Sequence, residues 1–143
     1  MSGRPLDTLI GTWSGPGTGV YPTVERFGYD EEITFAAVPT KPFLAYQQRT
    51  RHATEDRPLH AESGYWRWVG DGRRIEVVLA HPTGIAELLE GDLVTTADGF
   101  DLVLDSRTVA TTTTAKDVRT TRRRFVLAGD VLRYEVWMGA VGL

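Results

Sequence analysis

Few side chains in this sequence of 143 residues could carry acid–base, nucleophilic or metal chemistry. The histidines are His52, His60 and His81, and no two of them form a His-Glu-x-x-His motif. A zinc hydrolase is therefore poorly supported, and we predict no metal ligands. No serine lies in a Gly-x-Ser-x-Gly motif, and the absence of cysteine excludes a thiolate nucleophile and a disulfide framework. We assign no catalytic residue from these patterns.

Two of the histidines lie at the ends of strand-like segments. His60 follows the turn at Pro58, a position where a lone histidine is usually a hydrogen-bonded rim residue. His81 continues a row of apolar residues at alternate positions that begins at Ile75, so it is the better candidate for a polar group inside the fold. The residues alone therefore predict a rim position for His60 and an interior position for His81.

Charged residues give weaker signals. Paired carboxylates could come from Glu62, Glu76, Glu87 and Asp105, but on alternating strands such residues more often face solvent. Arg119 and the run at 122–124 are interpreted as an outward-facing surface. A net charge of −3 and a pI near 5.6 argue against nucleic acid as the main partner, since no overall positive field would attract phosphates.

The elements that must position these residues alternate between apolar and polar positions nearly throughout, which predicts strands and no helices of note. Short turns rich in glycine and proline separate the segments. About ten strands result: the glycine-rich stretch from residue 11, then 26–37, 43–52, 60–69, 74–81, 85–90, 93–96, 100–108, 118–127 and 131–138.

Short connections favour antiparallel neighbours, so we predict an all-β fold, an up-and-down β-barrel similar to lipocalins and fatty-acid-binding proteins. Closure of the sheet removes both edges, and a barrel of this size encloses a cavity, which we expect to be apolar. The alternation predicts three inward rows: Ile75, Val77, Leu79 and His81; Phe100, Leu102 and Leu104; Leu132, Tyr134, Val136 and Met138.

The first strand is unusually bare on one face. Gly11, Trp13, Gly15 and Gly17 are spaced two apart and therefore point to the same side. Glycine in a strand marks a bend, a bulge or a close backbone approach. Trp13 could close one end of a barrel, and the bare backbone beside it leaves room for a flat ligand. The residues alone leave the structural and the ligand-binding interpretations open.

Blocks of residues along nearly the whole chain resemble the nitrobindin family, in the same order. They are Gly11-x-Trp13-x-Gly15-x-Gly17, Tyr21-Pro22-Thr23, Tyr29-x-Glu31-Glu32, Pro42-Phe43-x-x-Tyr46-x-Gln48-x-Thr50, Pro58-Leu59-His60-x-Glu62-x-Gly64-Tyr65, Ala80-His81-Pro82-Thr83-Gly84, Ala115-Lys116-x-Val118 and Trp137-Met138-x-Ala140-Val141-Gly142.

The resemblance implies a ten-stranded barrel that binds haem b in an apolar pocket, with ferric-haem reactivity toward nitric oxide and isomerisation of peroxynitrite to nitrate. It places Thr23 at the haem edge and Lys116 near a propionate. His60, His81 and Met138 would line the pocket without binding the iron. In the family the axial histidine lies a few residues beyond the Met-x-Ala-Val-Gly block, whereas no histidine follows His81 here. We therefore expect the isomerase chemistry to be impaired in this chain.

Two other hypotheses remain open. The barrel could be a non-enzymatic carrier of a small apolar ligand, or a degenerate barrel that acts as an interaction surface. The length predicts a single domain over residues 1–143. The chain shows neither a signal peptide nor a run of apolar residues long enough for a membrane span, so we expect a cytoplasmic protein with a small-molecule partner and no membrane partner.

Overall fold

A computed structural model describes residues 5–21 and 24–140, and within them every side chain except those of residues 18–27 and 140. A short 3₁₀ helix, Pro5–Leu9, precedes nine strands. The strands are β1 (Gly11–Tyr21), β2 (Val24–Ala37), β3 (Phe43–His52), β4 (Pro58–Val69), β5 (Arg74–His81), β6 (Ile85–Thr96), β7 (Gly99–Thr111), β8 (Val118–Ala128) and β9 (Val131–Ala140).

The nine strands form one antiparallel sheet in which each strand pairs with its neighbours in sequence. This confirms the predicted all-β, up-and-down topology. Nine strands are present among the described residues, instead of about ten, because segments 85–90 and 93–96 join in β6. Gly91 lies between them, and a Cβ on it would lie 1.8 Å from the carbonyl oxygen of Val103 on β7. This glycine permits close strand pairing and does not break the strand.

The sheet coils until its two ends approach each other. On the inside, Gln48 Nε2 on β3 donates a hydrogen bond of 2.5 Å to the hydroxyl of Tyr134 on β9. The rings of Trp66 on β4 and Phe125 on β8 meet edge to face, with centroids 4.7 Å apart. No ladder joins β9 to β1 in residues 5–21 and 24–140. The result is a nearly closed barrel.

Apolar side chains fill one end of the barrel interior. The 3₁₀ helix inserts Leu6 and Leu9, both fully buried, and Trp13 Nε1 donates a hydrogen bond of 2.8 Å to the carbonyl of Leu9. Trp13 thus packs at this end of the barrel, as its sequence position predicts. The buried apolar residues behind it include Ile33, Phe35, Leu44, Trp66, Ile75, Val77, Leu89, Leu93, Phe100, Leu102, Phe125 and Leu127.

The predicted inward rows are confirmed on β5 and β7, whose members are buried. On β9 the prediction holds only in part, because Leu132 and Tyr134 pack against the core while Val136 is 36% and Met138 48% exposed. Met138 pairs with the buried Thr121 of β8, so it lies on the interior face. It is exposed because, within the described residues, no strand pairs with the outer edge of β9.

Within the same residues, no helix has the length and hydropathy that a membrane span requires.

Candidate functional site

The second half of the barrel interior is polar, in contrast to the apolar chamber that the alternation predicted. Seven side chains from five strands meet there, and we call them the polar cluster. Six are almost fully buried, and the seventh, His60, lies at the rim with its side chain 33% exposed. The polar cluster consists of Tyr46, His60, Glu62, His81, Glu87, Thr121 and Arg123.

Strand alternation brings these residues to the interior. Glu62 is four residues from the buried Trp66 on β4, and Glu87 is two residues from the buried Leu89 on β6. Arg123 is two residues from the buried Phe125 on β8. Residues an even number apart on a strand share a face, so each charged side chain points in the direction of its apolar neighbour.

Arg123 is the centre of the cluster. Its Nη1 donates to Glu62 Oε2 at 2.5 Å, and its Nη2 donates to Glu62 Oε1 at 3.2 Å and to Glu87 Oε2 at 2.7 Å. The side chains are 1% or less (Arg123, Glu87) and 3% (Glu62) exposed. A guanidinium is suited to this position because its planar set of donors can bind two carboxylates at once.

Mutual pairing keeps these groups charged despite their burial. Burial alone raises the pKa of Glu62, but the Arg123 charge and hydrogen bonds from His60 and Arg123 outweigh it and lower that pKa to about 2. The pKa of Glu87 is lowered for the same reason, with burial opposed by His81, Arg123 and Thr121. Burial lowers the pKa of Arg123, and the two carboxylates more than reverse this effect.

The histidines extend the cluster toward the rim. His81 Nε2 forms a short hydrogen bond with Glu87 Oε2, whose other oxygen accepts a hydrogen bond of 2.6 Å from Thr121 Oγ1. His81 Nδ1 lies 3.2 Å from His60 Nε2, which in turn lies 3.2 Å from Glu62 Oε1. The hydroxyl of Tyr46 donates to Glu62 Oε2 at 2.9 Å. The polar cluster is thus one continuous hydrogen-bonded network.

The sequence-based orientation of three charged residues was wrong. Glu62, Glu87 and Arg123 are 4%, 1% and 1% exposed, although the carboxylates were expected to face solvent and the arginine run to lie outside. The other carboxylates, Glu76 and Asp105, do form ion pairs on the outer face, and so do the other two arginines of the run, Arg122 and Arg124. A buried charge is stable only when it is paired, and the partners of Arg123 are 61 and 36 residues away in sequence.

A second polar contact lies beside the cluster. Gln48 Nε2, besides its hydrogen bond to Tyr134, lies 3.4 Å from Glu31 Oε1. Burial raises the pKa of Glu31, and hydrogen bonds from Tyr134 and Gln48 only partly offset this. Gln48 Oε1 is buried without a hydrogen-bond partner among the described residues. The polar half of the interior therefore retains an unused acceptor.

An open groove of about 1020 Å³ crosses the outer face of β1–β4 at this end of the barrel. The outward-facing Glu32 and Arg49 form part of its wall. Gly15, Glu31 and His60 lie along its floor, and the side chains of Glu31 and His60 are directed to the interior. Gly15 pairs with Glu31, which places the glycine face of β1 on the inside. Among the described atoms, nothing lies within 4 Å of an ideal Cβ on Gly15. The bare face predicted from the glycine spacing therefore adjoins open space.

The other glycine positions have structural uses. Gly11 pairs with the buried Phe35 and has a φ of 133°, a conformation open to glycine. Gly17 lies under the ring of Tyr29, where a Cβ would approach ring atoms to 2.2 Å. The structural interpretation of the glycine strand holds at Gly17, whereas Gly11, like Gly15, has no described atom within 4 Å of an ideal Cβ.

The predicted ligand contacts are spread over several elements. Thr23 lies outside the described residues. Lys116 is exposed in the connection between β7 and β8. This connection packs on the β5–β6 turn, since Thr112 N donates to Gly84 O at 2.9 Å. Lys116 therefore lies at the end of the barrel that carries His81 and the groove. Met138 faces the interior from the exposed edge strand. Their roles as ligand contacts stay predictions.

The glycine face of β1 fits a flat ligand in shape. The bare backbone at Gly15, with no described atom within 4 Å of an ideal Cβ, allows close approach of a planar ring. The fit concerns shape only, because neither the buried His81 nor His60 at the rim is in the position of the axial histidine of the resembled family. His81 is held by Glu87, and His60 lies 3.2 Å from Glu62.

A nearly closed antiparallel barrel with open space on its interior glycine face has the architecture of a small-molecule-binding barrel. The chain matches the family described as "THAP4-like, heme-binding beta-barrel domain" over residues 3–143. It therefore belongs to this family of haem-binding β-barrels, and the nitrobindin-like resemblance is confirmed.

Named relatives agree with this assignment. The chain is 48% identical over 137 residues to peroxynitrite isomerase 2 of Mycobacterium avium, an alignment that covers 96% of this chain and 84% of the relative. It is 49% identical over 138 residues to a peroxynitrite isomerase of Nocardia farcinica, covering 96% and 80%. The crystal structure of Rv2717c from M. tuberculosis superposes with a TM-score of 0.90 at 41% identity, covering 99% of this chain and 90% of that one. These relatives do not favour the carrier hypothesis.

Proposed function

We propose that this chain binds haem b inside the barrel beside Gly15 and, in the ferric state, isomerises peroxynitrite to nitrate. The observation that carries the proposal is the open space on the interior glycine face of β1 at Gly15, which lies in the same cross-strand row as His60. Relatives named peroxynitrite isomerase at 48% and 49% identity support the reaction. When bound, ferric haem would supply coordination chemistry toward nitric oxide and peroxynitrite.

The residues of the chain would position and shield the ligand. The apolar end of the barrel, closed by Leu6 and Leu9, keeps water from the far side of the interior. His60 at the rim has a ring nitrogen that can hold a proton close to an anion bound at the mouth of the interior. Lys116, at the same end of the barrel, is proposed to pair with a propionate, and Thr23, His81 and Met138 to line the site.

The chain's three histidines constrain the activity. None lies beyond residue 81, so we propose that these 143 residues bind haem without the family's axial imidazole. Axial ligation is one of the factors by which a protein sets haem reactivity. We therefore expect the 143-residue chain to isomerise peroxynitrite more slowly than its named relatives.

Other features support the remaining proposals about partners and location. The net charge of −3 is consistent with a small-molecule ligand and no nucleic-acid partner. The lack of cysteine is compatible with the reducing cytoplasm, which we propose as the compartment. We further propose that residues 1–143 form a single domain.

Stopped-flow mixing of the haem-loaded chain with peroxynitrite tests the reaction. We expect faster peroxynitrite decay and a higher nitrate yield than with the same amount of free ferric haem. Decay no faster than with free haem would contradict the proposed activity.

The two lysines of the chain, Lys41 and Lys116, provide a matched pair for the binding site. Lys41 lies in the turn before β3, at the opposite end of that strand from Thr50 and the groove. We expect Lys116→Met to weaken haem binding by about 2- to 5-fold, the size of an exposed ion pair, and Lys41→Met to leave it unchanged. Equal effects of both variants would contradict the role of Lys116.

A further inference from the structure

Three side chains of the polar cluster converge on one point near the rim. His60 and Glu62 face the interior two residues apart on β4, and His81 ends the neighbouring strand β5. Ser63 pairs with Ala80, so the next positions along the ladder bring Glu62 beside His81. The atoms that meet are His60 Nε2, Glu62 Oε1 and His81 Nδ1, each within 4.8 Å of the other two.

We propose that His60, Glu62 and His81 bind a divalent transition-metal ion, with Zn²⁺ as the best fit, at a site separate from haem iron. Two imidazoles and a carboxylate are the ligand types that Zn²⁺ takes in proteins. Three protein ligands leave a fourth position for water or a small anion, as in catalytic zinc centres.

The distances between the ligand atoms match a tetrahedral centre. Metal–ligand bonds of about 2.0–2.2 Å in tetrahedral geometry separate neighbouring ligand atoms by about 3.3–3.6 Å. The observed separations are 3.2 Å from His60 Nε2 to Glu62 Oε1, 3.2 Å from His60 Nε2 to His81 Nδ1 and 3.9 Å from His81 Nδ1 to Glu62 Oε1. A single ion between the three atoms therefore requires shifts of only a few tenths of an ångström.

Hydrogen bonding around the site leaves the correct atoms available as ligands. His81 Nε2 is engaged with Glu87, so a neutral His81 that donates there has a lone pair on Nδ1. Glu62 Oε2 is held by Tyr46 and Arg123, which directs Oε1 toward the histidines. A carboxylate behind a metal-binding histidine is the usual outer-shell arrangement in metal sites.

Without a metal, the three atoms are poorly matched as hydrogen-bonding partners. A neutral His60 protonated on Nε2 has one proton to share between Glu62 Oε1 and His81 Nδ1, both of which are acceptors. A cation in place of that proton satisfies all three atoms. It also compensates charge, because Glu62 and Glu87 share the single guanidinium of Arg123.

The site is accessible from outside. The side chain of His60 at the rim is 33% exposed, whereas those of Glu62 and His81 are 3% and 1% exposed. A metal ion can therefore enter past His60 and be bound on its inner side by two buried ligands.

Titration of the haem-free, 143-residue chain with Co²⁺ and Zn²⁺ tests the proposal. We expect one Co²⁺ per chain with the intense visible absorption of tetrahedral coordination, which one equivalent of Zn²⁺ removes. His60→Ala removes a partly exposed ligand and should weaken Zn²⁺ binding by at least about tenfold, because substitutions of residues that only hydrogen-bond to metal ligands already have effects of this size. His52→Ala removes the histidine that lies outside the cluster and should bind Zn²⁺ like the unmodified chain.

X-ray absorption at the zinc edge of the unmodified chain gives an answer that does not depend on whether a variant folds. We expect about two imidazole nitrogens and one or two oxygens at 2.0–2.2 Å. Absence of stoichiometric binding, a spectrum of octahedral oxygen ligands, or equal loss in His52→Ala and His60→Ala would overturn the proposal. Since the measurements use haem-free protein, failure to bind haem would leave their outcome unchanged.

Discussion

Arg123 balances the charge of two buried carboxylates, and its removal is expected to be costly. Arg123→Met would leave Glu62 and Glu87 buried without their counter-ion. Breaking a buried ion pair by removing one partner typically costs about 3–5 kcal/mol, and we expect a loss in this range. Urea unfolding followed by tryptophan fluorescence measures it.

The matched control replaces all three charges. A triple variant with Glu62→Gln, Glu87→Gln and Arg123→Met contains no uncompensated charge in the cluster. We expect it to recover at least about half of the stability lost in Arg123→Met, since replacing a whole buried ionic group is often close to neutral. A triple variant as unstable as Arg123→Met would show that the arginine acts through packing rather than charge.

Glu31 provides a pH-dependent test. Its folded-state pKa is raised above 4.5 by burial, so the native state binds more protons than the unfolded state above that pH. Stability contributed by protonated Glu31 is therefore lost as pH rises from 4.5 through the folded-state pKa.

Glu31→Gln removes this titration while retaining a carbonyl acceptor for Tyr134. We expect the variant to gain stability relative to the unmodified chain between about pH 4 and about pH 7. Unfolding free energies at both pH values measure the change. A difference that is constant with pH would contradict the raised pKa.

At the residue scale, alternation predicts an interior position where the neighbours in the row are apolar, and it misses a buried charge that stands among other charges. His81 continues an apolar row, and its interior position follows from alternation. Arg123 also alternates with Phe125 and Leu127, but its position between two other arginines suggests a solvated surface. Only the three-dimensional fold shows its partners, which come from strands distant in sequence.

At the scale of elements, close strand contacts depend on individual glycines. A Cβ on Gly64 of β4 would lie 1.7 Å from the carbonyl oxygen of Val78 on β5. Gly64→Ala must push the two strands apart, and we expect it to destabilise the fold by roughly 1–3 kcal/mol. Thermal and urea unfolding measure the loss.

Gly15→Ala is the control for this effect. The same methyl group added on β1 meets no described atom within 4 Å, so we expect a change within about 0.5 kcal/mol. Similar losses in both variants would indicate a general effect of glycine in strands rather than the close approach of β4 and β5.

Strand positions and turn positions follow from the sequence better than strand edges do. Alternation and glycine- or proline-rich turns are local signals, and they predict most strand bounds to within a few residues. The exposure of Val136 and Met138 depends on which strand flanks β9, which no local pattern records. The continuity of β6 through Gly91 depends likewise on the backbone of β7.

At the scale of the whole molecule, the barrel separates two environments. Leu6, Leu9 and Trp13 close an apolar end, and the polar cluster occupies the other, beside the groove. The apolar half stabilises the fold by excluding water from its side chains. The polar half offers paired charges and imidazoles beside Gly15, whose ideal Cβ has open space on the interior side.

Ferric haem titration of the 143-residue chain, followed by the Soret absorption band, tests the central claim most directly. We expect a saturable shift at one haem per chain. Gly15→Leu fills the space beside β1 and should weaken binding by about tenfold or more. Thr12→Leu adds the same side chain to the outer face of β1, opposite Thr34, and should bind haem like the unmodified chain. No saturable shift, or equal binding by Gly15→Leu and Thr12→Leu, would contradict haem binding on the glycine face of β1.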